Sequence, residues 1–271
     1  CYSITELDLS NFDTSSVTDM SYMFRGCESL KELNVSNFNT SQVTNMACMF
    51  QRCLGLKALD LSNFNTSSVT NMHNMLFFCY GLKELNISNF NTSKVTDMSS
   101  MFESCYGLTE LDVSNFDTSA FDTSGKHNMS NMFKGCYSLI ELDLSNFKLI
   151  QLDKLTTIAD DMLKDCSKLD IIHLPNNDGG FVDLSIYYNK MGVYGDWYNR
   201  GNINDLTAYQ FSSDAANHLT SADCGKTIQR GRDYKVNYYI NNTLVDTKSG
   251  NFRIGATPSG LADNLSFDKS L

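Results

Sequence analysis

The sequence predicts an α/β solenoid of about seven coils with a parallel sheet along one face, followed by a small β-rich C-terminal region. Three observations carry that expectation. Cysteines fall at Cys1, Cys27, Cys53, Cys79 and Cys105, each 26 residues after the last, and Cys136 and Cys166 continue the series at intervals of 31 and 30. The residues between them repeat: 27–52 read CESLKELNVSNFNTSQVTNMACMFQR and 53–78 read CLGLKALDLSNFNTSSVTNMHNMLFF. A period of twenty to fifty residues marks a repeat architecture, whose units bury their apolar faces only against neighbours. Within each unit Glu-Leu-Asp-Leu-Ser alternates polar and apolar residues, the period of a half-buried strand.

Five coils start at Cys1, Cys27, Cys53, Cys79 and Cys105, a sixth at Cys136, and a degenerate seventh, CSKLDIIHLPN, at Cys166. Parallel strands lie about 4.8 Å apart, so seven coils would give a sheet roughly 30 Å long. The columns Leu7, Leu33, Leu59, Leu85, Leu111, Leu142 and Leu9, Val35, Leu61, Ile87, Val113, Leu144 are expected to point inward, with Phe12, Phe38, Phe64, Phe90, Phe116 and Phe147 stacked behind them. A fully covered parallel sheet reads as one apolar run. The polar alternation therefore leaves one sheet face open to water.

The invariant Asn11, Asn37, Asn63, Asn89, Asn115 and Asn146 stand where the chain turns away from the strand. An amide both donates and accepts, so the column is expected to bond the backbone of adjacent coils. The following V-T-[DN]-M-x2-M-F places a capping residue before a short apolar-periodic run, which predicts one or two helical turns on the convex side. Methionine pairs such as Met20/Met23 and Met98/Met101 then fill the core rather than bind metal.

Composition bounds the function. With 271 residues, 42% of them apolar, the chain can bury a real core. A net charge of −10 argues against a non-specific grip on nucleic acid phosphates. No run of eighteen apolar residues occurs, so no membrane-spanning helix is expected. The opening residues lack the basic-then-apolar run of a signal peptide, which places any export signal or anchor outside the residues given. Nine cysteines cannot all pair within one chain. Zinc sites want close cysteine spacings with histidine partners, whereas single thiols one coil apart fit small buried hydrophobes. Cys48 and Cys224 stand outside the column and are the thiols expected to be accessible, together with the end coil. Free thiols in this number argue against an oxidising eukaryotic secretory route. Sequons at Asn39, Asn65, Asn91, Asn128 and Asn241 follow from the Asn/Ser/Thr-rich repeat itself.

The repeat breaks its own rule twice. Five extra residues enter around 120–127, and KLIQLDKLTTIADDMLKDC replaces the usual turn with helical spacing through Leu152, Leu155, Ile158 and Met162. Insertions in a solenoid emerge as loops on one side. Residues 1–175 form the repeat domain. Residues 176–222, rich in aromatic residues from Tyr187 to Tyr209 and including Trp197, are read as a terminal cap centred on 181–211. Residues 223–271 are read as a small β-rich module or an extension of the cap. Within them Tyr234–Ile240 and Thr243–Thr247 flank Asn241-Asn242, a hairpin signal.

With Leu30, Leu33 and Val35 recovering L-x2-L-x-L inside a C…MF…C frame, the chain resembles leucine-rich repeat proteins. More closely it is similar to BspA-like bacterial surface repeats, with their C-x2-L-x2-L frame and A/M-F-x2-C ending. The match spans about residues 1–175. The resemblance implies a right-handed leucine-rich repeat solenoid carried by a bacterial surface protein or lipoprotein, or secreted, with adhesive or host-contact roles. The chain departs from the ordinary leucine-rich pattern by carrying Phe where Asn or Cys usually stands. Residues 223–271 faintly resemble the opening strands of β-grasp-like modules of bacterial surface proteins.

No catalytic signature is present. His73, His127, His173 and His218 lack a neighbouring nucleophile motif, and no phosphate-binding, zinc-protease or nucleophile-elbow pattern occurs. Asp160, Asp161 and Asp165 read as a solvated face. No enzyme activity, cofactor or metal is therefore expected. The leading functional expectation is a binding or adhesion module for a protein or glycan partner. A structural spacer presenting another domain, and carbohydrate stacking on the Tyr/Trp-rich C-terminal region, are the competing readings.

The expected docking face is the open side of the sheet. Its outward columns are Glu6, Glu32, Ala58, Glu84, Glu110, Glu141 and Asp8, Asn34, Asp60, Asn86, Asp112, Asp143, of which nine are acidic. Carboxylates about 4.8 Å apart repel one another unless water, cations or a partner relieves them. A basic or amide-rich partner is the expected complement, with weak Ca²⁺ association as a lesser possibility. Because Cys1 sits in register without a cap, the residues are expected to belong to a longer chain. Leu7, Leu9, Phe12, Val17, Met20 and Phe24 would then face solvent at an open end.

Overall fold

A computed structural model of the chain describes residues 2–119, 121, 127–147 and 159–173 with their side chains, and strands at 197–199, 227–240 and 243–253 by their backbone. Strands β1 (Ala58–Asp60) and β2 (Glu84–Asn86) pair in parallel with Leu59 opposite Leu85. Strands β3 (Glu141–Asp143) and β4 (Ile171–His173) do the same with Leu142 opposite Ile172. Each is three residues long, and the matching stretches at 32–34 and 110–112 are not strands. The strand stretch is short because it lies between the turn after the cysteine and a second turn at Ser-Asn-Phe.

Bonding between repeats is densest in the segment whose spacing predicts a helix. The N–H groups of Met20, Tyr22, Phe24 and Gly26 donate to the carbonyls of Asn45, Ala47, Met49 and Gln51, at 2.9, 3.0, 2.8 and 2.8 Å. Met46, Cys48, Phe50 and Arg52 repeat the pattern onto Asn71, His73, Met75 and Phe77, and it continues as far as Gly135 donating to Lys164. Intervening N–H groups close turns within the repeat, as Arg25 does onto Tyr22 at 3.0 Å. Two columns have positive φ: Tyr22, Cys48, Asn74, Ser100, Asn131, Asp161, and Gly26, Arg52, Phe78, Ser104, Gly135, Asp165. A left-handed residue every fourth position cannot continue a right-handed helix. Alternate N–H and C=O groups instead point along the stack. Among the described residues the expected helical turns are absent, replaced by this second ladder.

Two polar columns add further bonds. Thr14, Thr40, Thr66 and Thr92 of the Asn/Asp-Thr-Ser turns each reach the residue 25 positions on. Thr40 Oγ1 donates to the Asn65 carbonyl at 3.1 Å and accepts from the Asn65 N–H at 2.8 Å. The asparagine column donates to carbonyls of the preceding repeat: Asn37 to Leu9 at 2.9 Å, Asn63 to Val35 at 3.0 Å, Asn115 to Phe90 at 2.7 Å. Asn89 and Asn146 reach Ser62 and Ser114 in the same way.

The core lies between the two ladders. Phe24–Phe50 and Phe102–Phe133 rings stack with centroids 5.5 and 5.6 Å apart, and Phe38–Phe64 and Phe116–Phe147 at 6.4 and 6.5 Å. Each buried side chain of this size contributes about 1.5–3 kcal/mol. The thiols of Cys53, Cys79, Cys105, Cys136 and Cys166 donate to carbonyls of the preceding repeat at 3.1–3.3 Å. Cys48, expected to be accessible, is buried among its neighbours, because its left-handed backbone turns it into the ladder segment.

The first described coil also differs from expectation. Leu9, Met20 and Phe24 are buried rather than solvent-facing, since they pack against the second coil. Phe12, by contrast, is 52% exposed where Phe38 is 4% exposed, and Tyr2, Tyr22 and Met23 of the same repeat are exposed as well.

At the other end, strands β5 (Trp197–Asn199), β6 (Thr227–Ile240) and β7 (Thr243–Arg253) continue the β3–β4 sheet. β6 pairs antiparallel with β4 through Ile172 and Ile228, and with β5 through Tyr198 and Gln229. The edge of the last repeat strand is thereby covered, which removes a free pairing surface. β6 and β7 form an antiparallel pair with Ile240 opposite Thr243, on either side of Asn241-Asn242. The rest of the expected cap, the inserted loop at 122–126, the segment 148–158, Cys1 and Cys224 lie outside the described residues.

Candidate functional site

The open face is built by the residues flanking the inward leucines. Glu6, Glu32, Ala58, Glu84, Glu110 and Glu141 are all exposed, as are Asp8, Asn34, Asp60, Asn86 and Asp112, while Asp143 is half-buried. The two columns do different work. In the second, the side-chain oxygen accepts the backbone N–H of the serine two residues on: Asp8–Ser10 at 2.9 Å, Asn34–Ser36 at 3.0 Å, Asp60–Ser62 at 2.9 Å, Asp112–Ser114 at 2.9 Å. Asn86 and Asp143 do the same for Ser88 and Ser145. This is an Asx turn, and it ends the strand. Asp and Asn interchange along the column because the turn needs only an acceptor oxygen.

The electrostatics follow. The Asp8 and Asp60 carboxyls sit below the usual carboxylate range mainly through the backbone N–H of Ser10 and Ser62, and Asp112 mainly through the Ser114 hydroxyl. These carboxylates are partly spent on the fold. The glutamate column is not: Glu6, Glu32, Glu84 and Glu110 project without such turns. Glu141 accepts from His173 Nε2 at 2.6 Å across β3 and β4.

Lys31 and Lys57 directly precede Glu32 and Ala58, are exposed, and line the same face. The stripe is thus mixed in charge over the second and third repeats. Where Ala58 interrupts the glutamates, a shallow depression opens, lined by Leu33, Gly55 and Ala58 and rimmed by Lys31, Glu32, Lys57 and Asp60. Sequence reasoning from the outward columns had left these lysines out of the face.

A second cluster joins residues one repeat apart. His73 Nδ1 lies 2.7 Å from Ser99 Oγ, Ser99 Oγ donates to Asp97 Oδ1 at 2.5 Å, and Asn74 Nδ2 lies 2.7 Å from His73 Nε2. An acyl-transfer triad needs the base to take the serine proton while the acid holds the base's far nitrogen. Here the acid takes the serine proton directly, the far nitrogen faces Asn74, and Ser99 is buried. The arrangement ties two repeats together rather than activating a nucleophile. No sequence signal marks it, because His73 and Ser99 meet only through the 26-residue period.

The family model for Mycoplasma proteins of unknown function, DUF285, matches residues 2–83 and again 53–173, two overlapping matches that start about two repeats apart. No curated protein matches the chain.

Proposed function

We propose that this chain, which belongs to the DUF285 family of Mycoplasma proteins of unknown function, is a BspA-like leucine-rich repeat solenoid acting at a bacterial cell surface, or secreted, as a binding module rather than a catalyst. Its partner is a protein presenting basic groups, and the docking surface is the open face bearing Glu6, Glu32, Glu84 and Glu110.

The observation that supports this reading is the division of labour between the two outward columns. Asp8, Asn34, Asp60, Asn86 and Asp112 give an oxygen to the backbone, whereas the glutamates contribute no such bond and remain exposed. Carboxylates held out in a row add repulsion without a structural return, which a basic partner would offset. Exposed charges of this kind govern association rate and salt dependence more than dissociation.

The test is a full-length variant with Glu32, Glu84 and Glu110 changed to Gln. Binding to extracellular matrix proteins is measured by surface plasmon resonance from low to high salt. The expected result is slower association at low salt, converging with the unaltered protein at high salt. Identical association at every salt concentration would remove the open face as the docking site.

A further inference from the structure

Along the edge where each coil turns at its cysteine, three tyrosines meet. Tyr80, Tyr106 and Tyr137 directly follow Cys79, Cys105 and Cys136, so the repeat period stacks them. Tyr80 and Tyr106 have ring centroids 4.4 Å apart with planes 11° from parallel, and Tyr106 and Tyr137 are 4.6 Å apart at 38°. Tyr80 and Tyr137 are 36% and 42% exposed. The cluster is therefore reachable from solvent while its rings stay in contact. Close ring packing is an ordinary preference of aromatic side chains, but here it also holds phenols of neighbouring repeats against one another.

We propose that Tyr80, Tyr106 and Tyr137 form an oxidative cross-linking site, at which a haem peroxidase with hydrogen peroxide joins neighbouring repeats through dityrosine. One-electron oxidation of a phenol releases its proton and leaves spin on the ring carbons ortho to oxygen. When the stacked neighbour is oxidised as well, those carbons form one C–C bond. Each ring loses one hydrogen and regains aromaticity. The two electrons and two protons released reduce one hydrogen peroxide to two waters. Tyr2 and Tyr22 are more exposed, at 71% and 53%, but have no tyrosine ring against them among the described residues. Exposure alone therefore gives them no partner in the same molecule. The link ties residues one repeat apart, reinforcing a stack otherwise held by hydrogen bonds and packing, and it does not depend on what the open face binds.

The test treats the full chain with hydrogen peroxide and a haem peroxidase, isolates the monomer, and digests it with trypsin. Cleavage at lysine places Tyr80 in peptide 58–83, Tyr106 in 95–126 and Tyr137 in 135–148. The expected products are 58–83 joined to 95–126, or 95–126 joined to 135–148, each at the summed mass less two hydrogens. Tyr106→Phe keeps the stacked ring but removes the shared phenol, and should abolish both products. Tyr22→Phe should leave them unchanged, and oxidation in urea should lose them. The proposal is overturned if the monomer carries neither product, if cross-links form only between molecules, or if linkage at these peptides persists in urea.

Discussion

The Thr66 hydroxyl donates to the Asn91 carbonyl at 3.0 Å and accepts from the Asn91 N–H at 2.7 Å, so one buried side chain closes both backbone bonds of a residue in the next repeat. Thr14 and Asn39, Thr40 and Asn65, and Thr92 and Asp117 form the same pair. A hydroxyl both donates and accepts, and threonine's methyl fills the remaining buried space. The pair works between repeats because residues 25 apart are brought into contact.

Thr66→Val preserves shape and removes both bonds, leaving the Asn91 N–H and C=O without that partner. It should cost about 1–3 kcal/mol in urea unfolding, whereas Thr66→Ser, which keeps the hydroxyl, should lose no more than about 1 kcal/mol. Equal midpoints for the two variants would contradict a hydrogen-bonding role.

The cysteine column should resist thiol reagents and confer an alkaline limit. Burial pushes the Cys79 thiol up to about 12 from an ordinary 9.0, and Cys105 and Cys136 shift the same way, chiefly through burial. A thiol that holds its proton more tightly when folded contributes its full stabilisation below pH 9. That contribution is lost as pH rises from 9 towards 12, because the unfolded chain ionises first. Urea midpoints should be level up to about pH 8 and fall beyond 9. Labelling of Cys53, Cys79 and Cys105 should require denaturant, and rapid native labelling would contradict their burial.

Two glycines are required for different reasons. Gly135 has φ +71°, and a Cβ there would lie 3.3 Å from Ser104 Oγ, so Gly135→Ala should destabilise by about 1 kcal/mol. A Cβ on Gly107 would come within 2.4 Å of the Leu82 carbonyl oxygen, part of the backbone of the preceding coil. Gly107→Ala should therefore cost more, about 2–3 kcal/mol, by forcing two coils apart. Thermal unfolding of both variants checks the order.

The outward columns should separate under mutation. Asp112→Asn keeps the acceptor oxygen, as Asn34 and Asn86 do natively, and should leave stability unchanged. Asp112→Ala removes the turn bond and should cost about 0.5–1.5 kcal/mol. Glu110→Gln should change stability by less than about 0.5 kcal/mol, since an exposed carboxylate outside a network contributes little. A loss from Glu110→Gln equal to that from Asp112→Ala would mean both columns are structural.

The contacts between repeats were legible because the period is. The 26-residue spacing named which residues stack, and the asparagine column's backbone bonds follow from an amide placed at a turn. The helix expectation failed at Tyr22, Cys48, Arg52 and Phe78 because apolar spacing reports which residues are buried, not the sign of φ. A bulky residue with positive φ carries no local sequence mark. The bonds it makes to the next coil offset its strain.

The candidate site was legible in position but not in role. Alternation placed Glu84 and Asn86 on one exposed face, and both are exposed there. That Asn86 is spent on Ser88, that Lys57 shares the face, and that His73 meets Ser99 required coordinates, since each depends on where a side chain turns after the backbone is set.

By itself, then, the sequence determined the repeat, its columns and which side chains are apolar, because those are properties of spacing and composition. Only the tertiary structure decided how the coils hold each other. Among the described residues, twelve left-handed ones turn the M-x2-M-F segment into a hydrogen-bonded ladder, the threonines clasp the next repeat, and Tyr80, Tyr106 and Tyr137 come into ring contact. Each of these is a contact between residues about one repeat apart, and its geometry is fixed by the stacking distance rather than by any local preference.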